Sequence, residues 1–571
     1  MRKTEAGVAD ARRRVSGTPN RTGEETFRRT AFRGIPWLVV IVAGGAVAAC
    51  EGDGPGGGRI DADAGADAGA DDGRGGEDGG PRDAGDGDGG PRDAGGDEPP
   101  RPIFFKASNA APEDNFGQGV AFDGDTLIVG APNEDSDAQE VDGDQDNDRL
   151  DDAGAVYVFR REEEGWRQEA YVKAPNPGAL DRFGDVVALD GDLLAVGTSL
   201  EDSGGRGPGA DPFDDDAPGS GAVYLFRRGA DGWTFEAFLK ASNADPGDGF
   251  GIAVAIDGEV VVVGADGESS LDGTDPDDND GASAGAAYVF RRVAGTWEEE
   301  AYLKPDVLDV DDRFGEAVDI LGDTIVVGAT GEDGGVGEVN GDAEDDTAES
   351  AGAAYVFRRG PEGGWSQEAY LKSSNPRFLD SFGGTVSIAG DRILVGAPLE
   401  FGSGQGVDPT DDDGTPAAGA AYVYRRGPEG WSQEAYLKAS NTGSGDGFGT
   451  TCDLRGSWIA CGAPGEESAG PLSAPTPEDN SISTAGAVYL FRRGEGGGGD
   501  GVWNPAGFLK PERPLELGLF GTALALTDDE AVVVGHPGDA SAATGVGGDP
   551  LGFDAVEAGA VYLLPLALAA D

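Results

Sequence analysis

The stretch from Phe250 to Lys304 shows a pattern of hydrophobic and polar residues that recurs along most of the chain. It opens with two short runs rich in β-branched residues, FGIAVAI and EVVVVGA, separated by a tight glycine turn. It closes with a second pair of runs, AAYVF and TWEEEAYL. Such runs predict four β-strands, and no segment has the period of a helix. An acid-rich loop, residues 267–283, lies between the two pairs of strands.

Copies of this unit follow one another at a regular period. Phe-Gly recurs at spacings of 64 to 72 residues, at Phe116, Phe183, Phe250, Phe314, Phe382, Phe448 and Phe520. A Gly-Ala-Val-Tyr-like strand also occurs seven times, beginning near Gly154, Gly221, Gly285, Gly352, Gly419, Gly486 and Gly559. One unit cannot bury both faces of its sheet alone, so the period predicts an all-β ring of four-stranded antiparallel blades, a seven-bladed β-propeller.

The fourth strand is present in only six copies, where it is headed by Trp166, Trp233, Trp297, Trp365, Trp431 and Trp503. The missing strand has a counterpart at the other end of the repeats, because IFFKASN, residues 103–109, matches the close of a fourth strand such as FLKASN, residues 238–243. We therefore expect the N-terminal strand to complete the last blade and leave no unpaired inner edge.

These repeats resemble the FG-GAP repeat family, the β-propeller of the integrin α-chain head and its bacterial relatives. The resemblance covers residues 103–571. It is carried by Phe-Gly together with Gly-Ala-Pro, as at Phe116-Gly117 and Gly130-Ala131-Pro132, and it decays to Gly535-His536-Pro537 in the last copy. The family implies the fold rather than the activity, because a propeller is a scaffold for unrelated functions.

Residues 1–49 have the pattern of an export signal, with arginines before a short apolar run. Val47-Ala48-Ala49-Cys50 resembles a bacterial lipobox, in which the cysteine is lipidated; the alternatives are a plain secretory signal or an uncleaved anchor. We expect an exported protein, lipid-anchored at Cys50 in the bacterial cell envelope, at the outer membrane or cell surface. Residues 50–102 are rich in Gly, Asp and Ala and predict a disordered tether to the propeller.

The chain carries 107 acidic and 42 basic side chains, a formal charge of −65, which argues against a nucleic-acid partner. Because strand direction alternates within a blade, the second-to-third and blade-to-blade connections lie on one face, and the tight turns lie on the other. The long acidic loops predict an acidic face. Six arginine pairs, beginning at Arg160, Arg227, Arg291, Arg358, Arg425 and Arg492, predict a mixed or basic opposite face, unless each arginine pairs with a nearby glutamate.

Three loops place carboxylates at alternate positions, as calcium loops do. The candidate ligands are Asp142, Asp144, Asp146 and Asp148; Asp275, Asp277 and Asn279; and Asn340, Asp342, Glu344 and Asp346. None of the loops has the terminal bidentate glutamate. The calcium loop of the family also lies elsewhere, in the hairpin between the FG and GAP strands, which here is a tight turn, so its ligands carry over to no residue of this chain. Solvated acidic loops are the alternative to calcium.

Cys452 and Cys461 lie on the first and second strands of one blade, in FGTTCDLRGSWIACGAP. A two-residue turn with glycine first, Gly456-Ser457, sets Cys452 opposite Cys461. Directly opposed residues are close enough for a disulfide, which an exported chain can form. Two buried free thiols are the alternative.

Catalysis has little support, because His536 is the only histidine and replaces the alanine of a GAP motif. We expect a non-enzymatic, surface-displayed binding or adhesion module that contacts a protein or glycan through propeller loops, with calcium as its one candidate cofactor. The alternatives are an acidic structural lipoprotein of the envelope without a specific ligand, and a hydrolase.

Overall fold

The computed structural model describes residues 101–271, 279, 281–410, 412–494, 501–548, 552 and 555–569. These residues form seven antiparallel sheets of four or five strands and one short 3-10 helix, Leu566–Ala569. The seven-bladed β-propeller predicted from the repeats is confirmed. Within the described part of the chain, no helix has the length and apolar character needed to cross a membrane.

Six blades are built from strands that follow one another in the chain, from the inner to the outer edge. In blades 1 to 3 the strands are Val120–Asp123, Thr126–Ala131, Ala155–Glu162 and Gly165–Val172; Val186–Asp190, Leu193–Thr198, Ala222–Gly229 and Gly232–Leu239; and Ala253–Asp257, Val260–Ala265, Ala286–Val293 and Thr296–Leu303. In blades 4 to 6 they are Phe314–Leu321, Thr324–Ala329, Ala353–Arg359 and Trp365–Leu371; Thr385–Ala389, Arg392–Ala397, Ala420–Gly427 and Gly430–Lys438, with Gly406–Val407 added outside; and Thr451–Arg455, Trp458–Ala463, Ala487–Arg493 and Trp503–Leu509.

Blade 7 joins the two ends of the repeat region. Its first three strands are Leu524–Leu526, Ala531–His536 and Ala560–Pro565. Ile103–Lys106 lies antiparallel to the last of these, with Phe104 opposite Tyr562, and Gly545–Val546 pairs with its outer side. The outer strand of this blade thus comes from the N-terminal side of the propeller.

The hydrophobic core is divided among the spaces between neighbouring blades. Seven clusters of buried side chains each draw residues from two adjacent blades, including one cluster that joins blade 7 to blade 1 through Phe105, Val533 and Phe159. The phenylalanine of each of the seven repeated Phe-Gly pairs is fully buried, and Phe116 packs edge-on against Tyr157 with ring centroids 5.3 Å apart. No blade therefore has a complete core of its own, as expected for stacked repeats.

Two glycines in each repeat set the distance between blades. A Cβ atom on the glycine of one blade's GAP motif would lie close to the carbonyl oxygen of the FG glycine in the next blade, at 1.7 Å for Gly130 against Gly184 and 1.8 Å for Gly264 against Gly315. The same approach recurs around the ring and ends with Gly535 against Gly117, at 2.0 Å. Backbone packs on backbone here, which leaves no space for a side chain.

We expect Gly264→Ala to lower the free energy of unfolding by at least about 3 kcal/mol, because its methyl group would meet an immovable carbonyl. Gly229→Ala is the matched control, since the nearest heavy atom to a Cβ there is 3.8 Å away. Denaturant unfolding of both variants measures the difference. Equal stabilities would show that the blades can separate at no cost.

We expect deletion of residues 103–109 to remove the outer strand of blade 7, expose the edge of Ala560–Pro565 and leave Phe105 missing from the closing cluster. The result should be a large fall in Tm or aggregation of the protein. Thermal unfolding measures the Tm, and light scattering detects the aggregation. Deleting seven residues within the Gly/Asp/Ala-rich segment, residues 61–67, controls for length. A truncated protein that melts like the parent would contradict ring closure by this strand.

Candidate functional site

The long connections all emerge on one face of the propeller, which we call the loop face; the opposite face, formed by the hairpin turns, is the turn face. Of the twelve large hydrophobic side chains exposed in the described structure, eight lie in connections of the loop face: Leu180, Leu200, Phe213, Leu271, Val310, Phe378, Leu517 and Val556. The exposed apolar side chains of this part of the molecule are thus concentrated on the loop face.

The candidate calcium loop of blade 1 is tied to its own blade by Asp142. The Asp142 N–H donates to the Tyr171 carbonyl at 2.7 Å, and the Tyr171 N–H donates back to the Asp142 carboxylate at 3.0 Å. Asp144 accepts a hydrogen bond from the Asp146 N–H at 3.3 Å and borders an open depression of about 520 Å³. Asp146 and Asp148 are both exposed on the same loop.

The loop of blade 4 repeats this arrangement. Asn340 exchanges the same pair of hydrogen bonds with Tyr370, at 2.8 and 2.9 Å, and Asp342 accepts from the Glu344 N–H at 3.2 Å. Asp346 is exposed, and its pKa is raised by residual desolvation and by neighbouring acids such as Asp309. The first acid or amide of each motif therefore caps the exposed edge of an outer strand.

The loop of blade 3 falls largely outside the described residues, including Asp275 and Asp277. Asn279 is described, and its amide donates to the Asp245 carboxylate at 2.9 Å. Among the residues that the structure describes, no three Asp, Glu, His or Cys side chains are arranged to hold a metal ion. Calcium binding by these loops therefore stays a prediction. The predicted lipidation site, Cys50, also lies outside the described residues.

A buried ion pair at the base of the loop face was missed in the sequence. In every blade a lysine that ends the outer strand meets an acid that follows the second strand: Lys173 and Glu134, Lys240 and Glu201, Lys304 and Glu268, Lys372 and Glu332, Lys438 and Glu400, Lys510 and Glu466, and Lys106 and Asp539. The recurrence of this lysine seven times at one repeat position is the signal that could have revealed it.

Each ion pair joins three parts of a blade, as in blade 2. The Lys240 ammonium donates to Glu201 at 3.2 Å and to the Gly221 carbonyl at 2.6 Å, and both charged groups are buried. Burial lowers the pKa of Lys240, and the charge of Glu201 opposes that shift. The amide of Asn176, which follows the outer strand of blade 1, donates to Glu201 at 3.4 Å. The network therefore also links neighbouring blades, and breaking one such pair should cost about 3–5 kcal/mol.

A buried aspartate precedes the Phe-Gly pair in six blades. Its carboxylate accepts a backbone N–H three residues earlier, as Asp312 does from Asp309 at 2.8 Å. Burial raises its pKa, to about 8 for Asp114 and Asp380, about 7 for Asp181, Asp248 and Asp312, and about 6 for Asp446, with the nearby buried glutamate adding to the shift in each case.

Blade 7 departs from this pattern around its histidine. Gly518 stands where the other blades have the aspartate, and the His536 Nε2 atom lies 2.6 Å from the position of a Cβ on Gly518. The imidazole thus fills the space of the missing carboxyl group. His536 is fully buried, and this burial lowers its pKa to about 4. The buried, neutral imidazole therefore has a packing role in an irregular repeat. It is not placed to act as the general base for a nucleophile.

The arginine pairs of the turn face fasten neighbouring blades. The second arginine of each pair contacts an acid of the preceding blade: Arg228 and Glu169, Arg292 and Glu236, Arg359 and Glu300, Arg426 and Glu368, Arg493 and Glu434, and Arg161 and Asp529. The second arginine therefore pairs with a glutamate, the alternative to an unpaired basic face, in five of the six arginine pairs. Arg228 and Glu169 are only 16% and 13% exposed, so these pairs are part of the blade interface.

The cysteine hairpin has the predicted register, with Cys452 opposite Cys461 and Arg455 opposite Trp458. Gly456 begins the turn with φ of +62°, which a glycine adopts without strain. The two sulfur atoms are joined in a disulfide that lies between the first two strands of blade 6. It is a local link within one hairpin.

The fold and the repeated loops define a β-propeller with a cross-linked turn face and a long-looped opposite face. The family model described as FG-GAP repeat matches residues 105–159, 166–226, 233–290, 297–357, 365–424 and 431–491, more than half of the chain. The chain therefore belongs to the FG-GAP repeat family. Each matched stretch begins on the outer strand of one blade and ends on the third strand of the next. No curated protein matches the chain significantly.

The buried aspartates predict a stability that falls with rising pH. Asp312 has a folded pKa of about 7 against an ordinary value of 3.8, so its favourable contribution is complete below pH about 4 and is lost as pH rises through 7. Asp312→Asn keeps an oxygen that can accept the Asp309 N–H and removes the charge. We expect this variant to be at least about 1 kcal/mol more stable than the parent at pH 8, with little difference at pH 4.

Chemical denaturation across this pH range measures the effect. Asp231→Asn, in an exposed hairpin turn, is the control and should leave the profile unchanged. Parallel profiles for the parent and Asp312→Asn would show that the Asp312 carboxyl is ionised in the folded protein throughout.

Proposed function

We propose that this protein is a non-enzymatic, surface-displayed binding module whose loop face contacts a protein or a glycan. The observation that carries the proposal is the difference between the two faces. Eight exposed large hydrophobic side chains lie among the loop-face connections, whereas three of those described, Val293, Leu321 and Val502, lie beside or within the hairpin turns of the turn face. Removing such side chains from water favours association.

The turn face is a less suitable surface because many of its arginines are already engaged by acids of neighbouring blades. Arg228, Arg292 and Arg359 are held by glutamates of the preceding blade, and Arg455 pairs with Asp528 at 2.7 Å across the same face. A partner bound there would have to replace these pairs. The loop face offers projecting side chains instead, on bases fixed by the buried lysine pairs.

Display at the cell surface rests on the lipobox-like sequence that ends at Cys50 and on the acidic segment that follows it. Lipid on Cys50 would anchor the chain, and the tether would hold the propeller away from the membrane. The buried state of His536, the only histidine, supports a function without acid–base catalysis by an imidazole.

Arrays of glycans and of extracellular proteins, probed with the full chain, test the proposal. We expect a ligand whose saturable binding is weakened at least fivefold by Phe213→Ser with Phe378→Ser on the loop face, and not by Val293→Ser with Val502→Ser on the turn face. These four side chains are all about half exposed or more, so the two variants are matched for the exposure of the apolar side chains that they remove. Equal loss in both variants, or no saturable ligand, would favour an acidic structural lipoprotein.

Calcium is part of this proposal as an ion that orders the acidic loops. If Asp144, Asp146 and Asp148 bind it, saturating calcium should raise the Tm by mass action, and magnesium should raise it much less because its geometry is stricter. Asp144→Asn with Asp146→Asn should remove the part of the Tm shift that comes from the blade 1 loop. Differential scanning calorimetry measures it. Equal shifts with both ions would assign them to a diffuse counterion cloud around the acidic face.

A further inference from the structure

A small pocket lies on the loop face of blade 7, between the connection that leads into its first strand and the long loop before its third strand. It has a volume of about 320 Å³ and an apolar wall formed by Leu515, Leu517, Ala540 and Val556, with Glu516 and Glu557 beside them. Leu517 and Val556 are 51% and 61% exposed, although they are apolar. The pocket thus combines an uncovered apolar wall with two carboxylates.

Backbone contacts hold the wall in place from both sides. The Leu517 N–H donates to the Ser483 carbonyl of blade 6 at 3.1 Å, while the Val556 carbonyl accepts from the Glu113 N–H of blade 1 at 3.0 Å. Leu517 has φ of +59°, a conformation uncommon for a leucine. Gly538 lies beneath it, and a Cβ there would be 2.1 Å from the Leu517 carbonyl oxygen. The pocket is therefore preformed by these contacts.

A leucine stands at the position of Leu517 in three of the seven repeats, as Leu180, Leu379 and Leu517, each with a left-handed backbone. Three residues before the motif phenylalanine, where Leu517 stands, the chain has Glu113 in the first repeat, Gly247 in the third and Asp311 in the fourth. The second repeat has Leu180, which shares the left-handed backbone with φ of 71° and is 57% exposed. Leu180 thus offers the same side chain in the same conformation, on another part of the ring.

We propose that this pocket binds a lysine side chain from a partner protein. The four-carbon stem packs against Leu515, Leu517 and Val556, and the ammonium group pairs with Glu516 and Glu557. Within the described structure neither carboxylate has an ion-pair partner of its own. Lysine is the residue that covers apolar surface with its stem while keeping its charge at the rim. The proposal rests on the binding function of the loop face and names the chemistry of its partner.

The acidity of the chain makes a cationic partner the complementary one, since its formal charge is −65. Lysine fits better than arginine because a compact ammonium can donate in several directions to two separate carboxylates, whereas a planar guanidinium is suited to a single carboxylate in two-point contact. Charge alone would attract any cation. The apolar wall makes the pocket prefer a cation that carries an alkyl chain, as a lysine side chain does.

Saturation-transfer NMR on the full chain tests the site with N-acetyl-lysine methylamide as the probe. The norleucine analogue keeps the stem without the charge, and the ε-acetyl-lysine analogue removes the charge and adds bulk. We expect the lysine probe to bind at least fivefold more tightly than either analogue. Leu517→Asn should weaken it at least fivefold, because asparagine accepts the left-handed backbone but removes the apolar wall. Glu516→Gln with Glu557→Gln should weaken it to a similar extent.

Leu180→Asn is the matched control and should leave probe binding unchanged. Equal affinity for the Leu517→Asn variant and the parent, or equal loss in the Leu180→Asn and Leu517→Asn variants, would overturn the pocket assignment. A lysine probe displaced by 0.5 M salt as completely as a simple alkylammonium ion would also overturn it, since that is the behaviour of diffuse charge.

Failure of the pocket can be distinguished from failure of the loop face. If an array ligand is lost with the Phe213 and Phe378 substitutions but is unaffected by Leu517→Asn, the loop face binds and the lysine pocket is wrong. If Leu517→Asn abolishes probe binding while no array ligand exists, the pocket is right and the binding module is wrong. Self-association that depends on Leu517 in sedimentation experiments would assign the pocket to a second copy of this chain and overturn the proposed partner.

Discussion

The contact between two backbones, a GAP glycine in one blade and the carbonyl of the FG glycine in the next, is the constraint on which the ring depends. It recurs from Gly130 against Gly184 to Gly535 against Gly117. Because no side chain takes part, it sets the spacing of the blades independently of the core residues between them. This explains why the glycine is retained at Gly197, where Thr198 and Ser199 replace both following residues of the motif, and at Gly535, where His536 replaces the alanine.

Most of the fold could be predicted from the sequence because its signals are local. The Phe-Gly period gives the number of blades, the alternation of strands gives the faces, and the glycine turn gives the register of Cys452 and Cys461. The buried lysine pairs were missed because six of them join residues about 40 positions apart, such as Lys173 and Glu134, and the seventh joins Lys106 to Asp539, 433 positions away. The lysine at the end of the outer strand and the acid that follows the second strand come together only when the blade has folded.

The candidate site was less predictable, because acidic residues have several roles that composition does not separate. Asp142 holds a strand edge, Glu134 pairs with a buried lysine, and Asp114 is a turn residue whose pKa is raised by burial. All three would count equally in a sum of charges. The arginine pairs show the same difficulty, since Arg228 looks like a surface residue in the sequence but belongs to a blade interface. Burial distinguishes these roles, and burial follows from the ring.

The outer strand of blade 7 also determines the order of folding. Lys106 donates to the carbonyl of Gly559, a partner 453 positions away, so the first strand to emerge must wait, unpaired, for one of the last. Every other outer strand meets its neighbour across a hairpin. The six continuous blades can therefore assemble progressively, while closure is a single long-range event that carries a larger loop-closure entropy. An arrested nascent chain would keep Phe104 and Phe105 exposed, as natural targets for a holding chaperone.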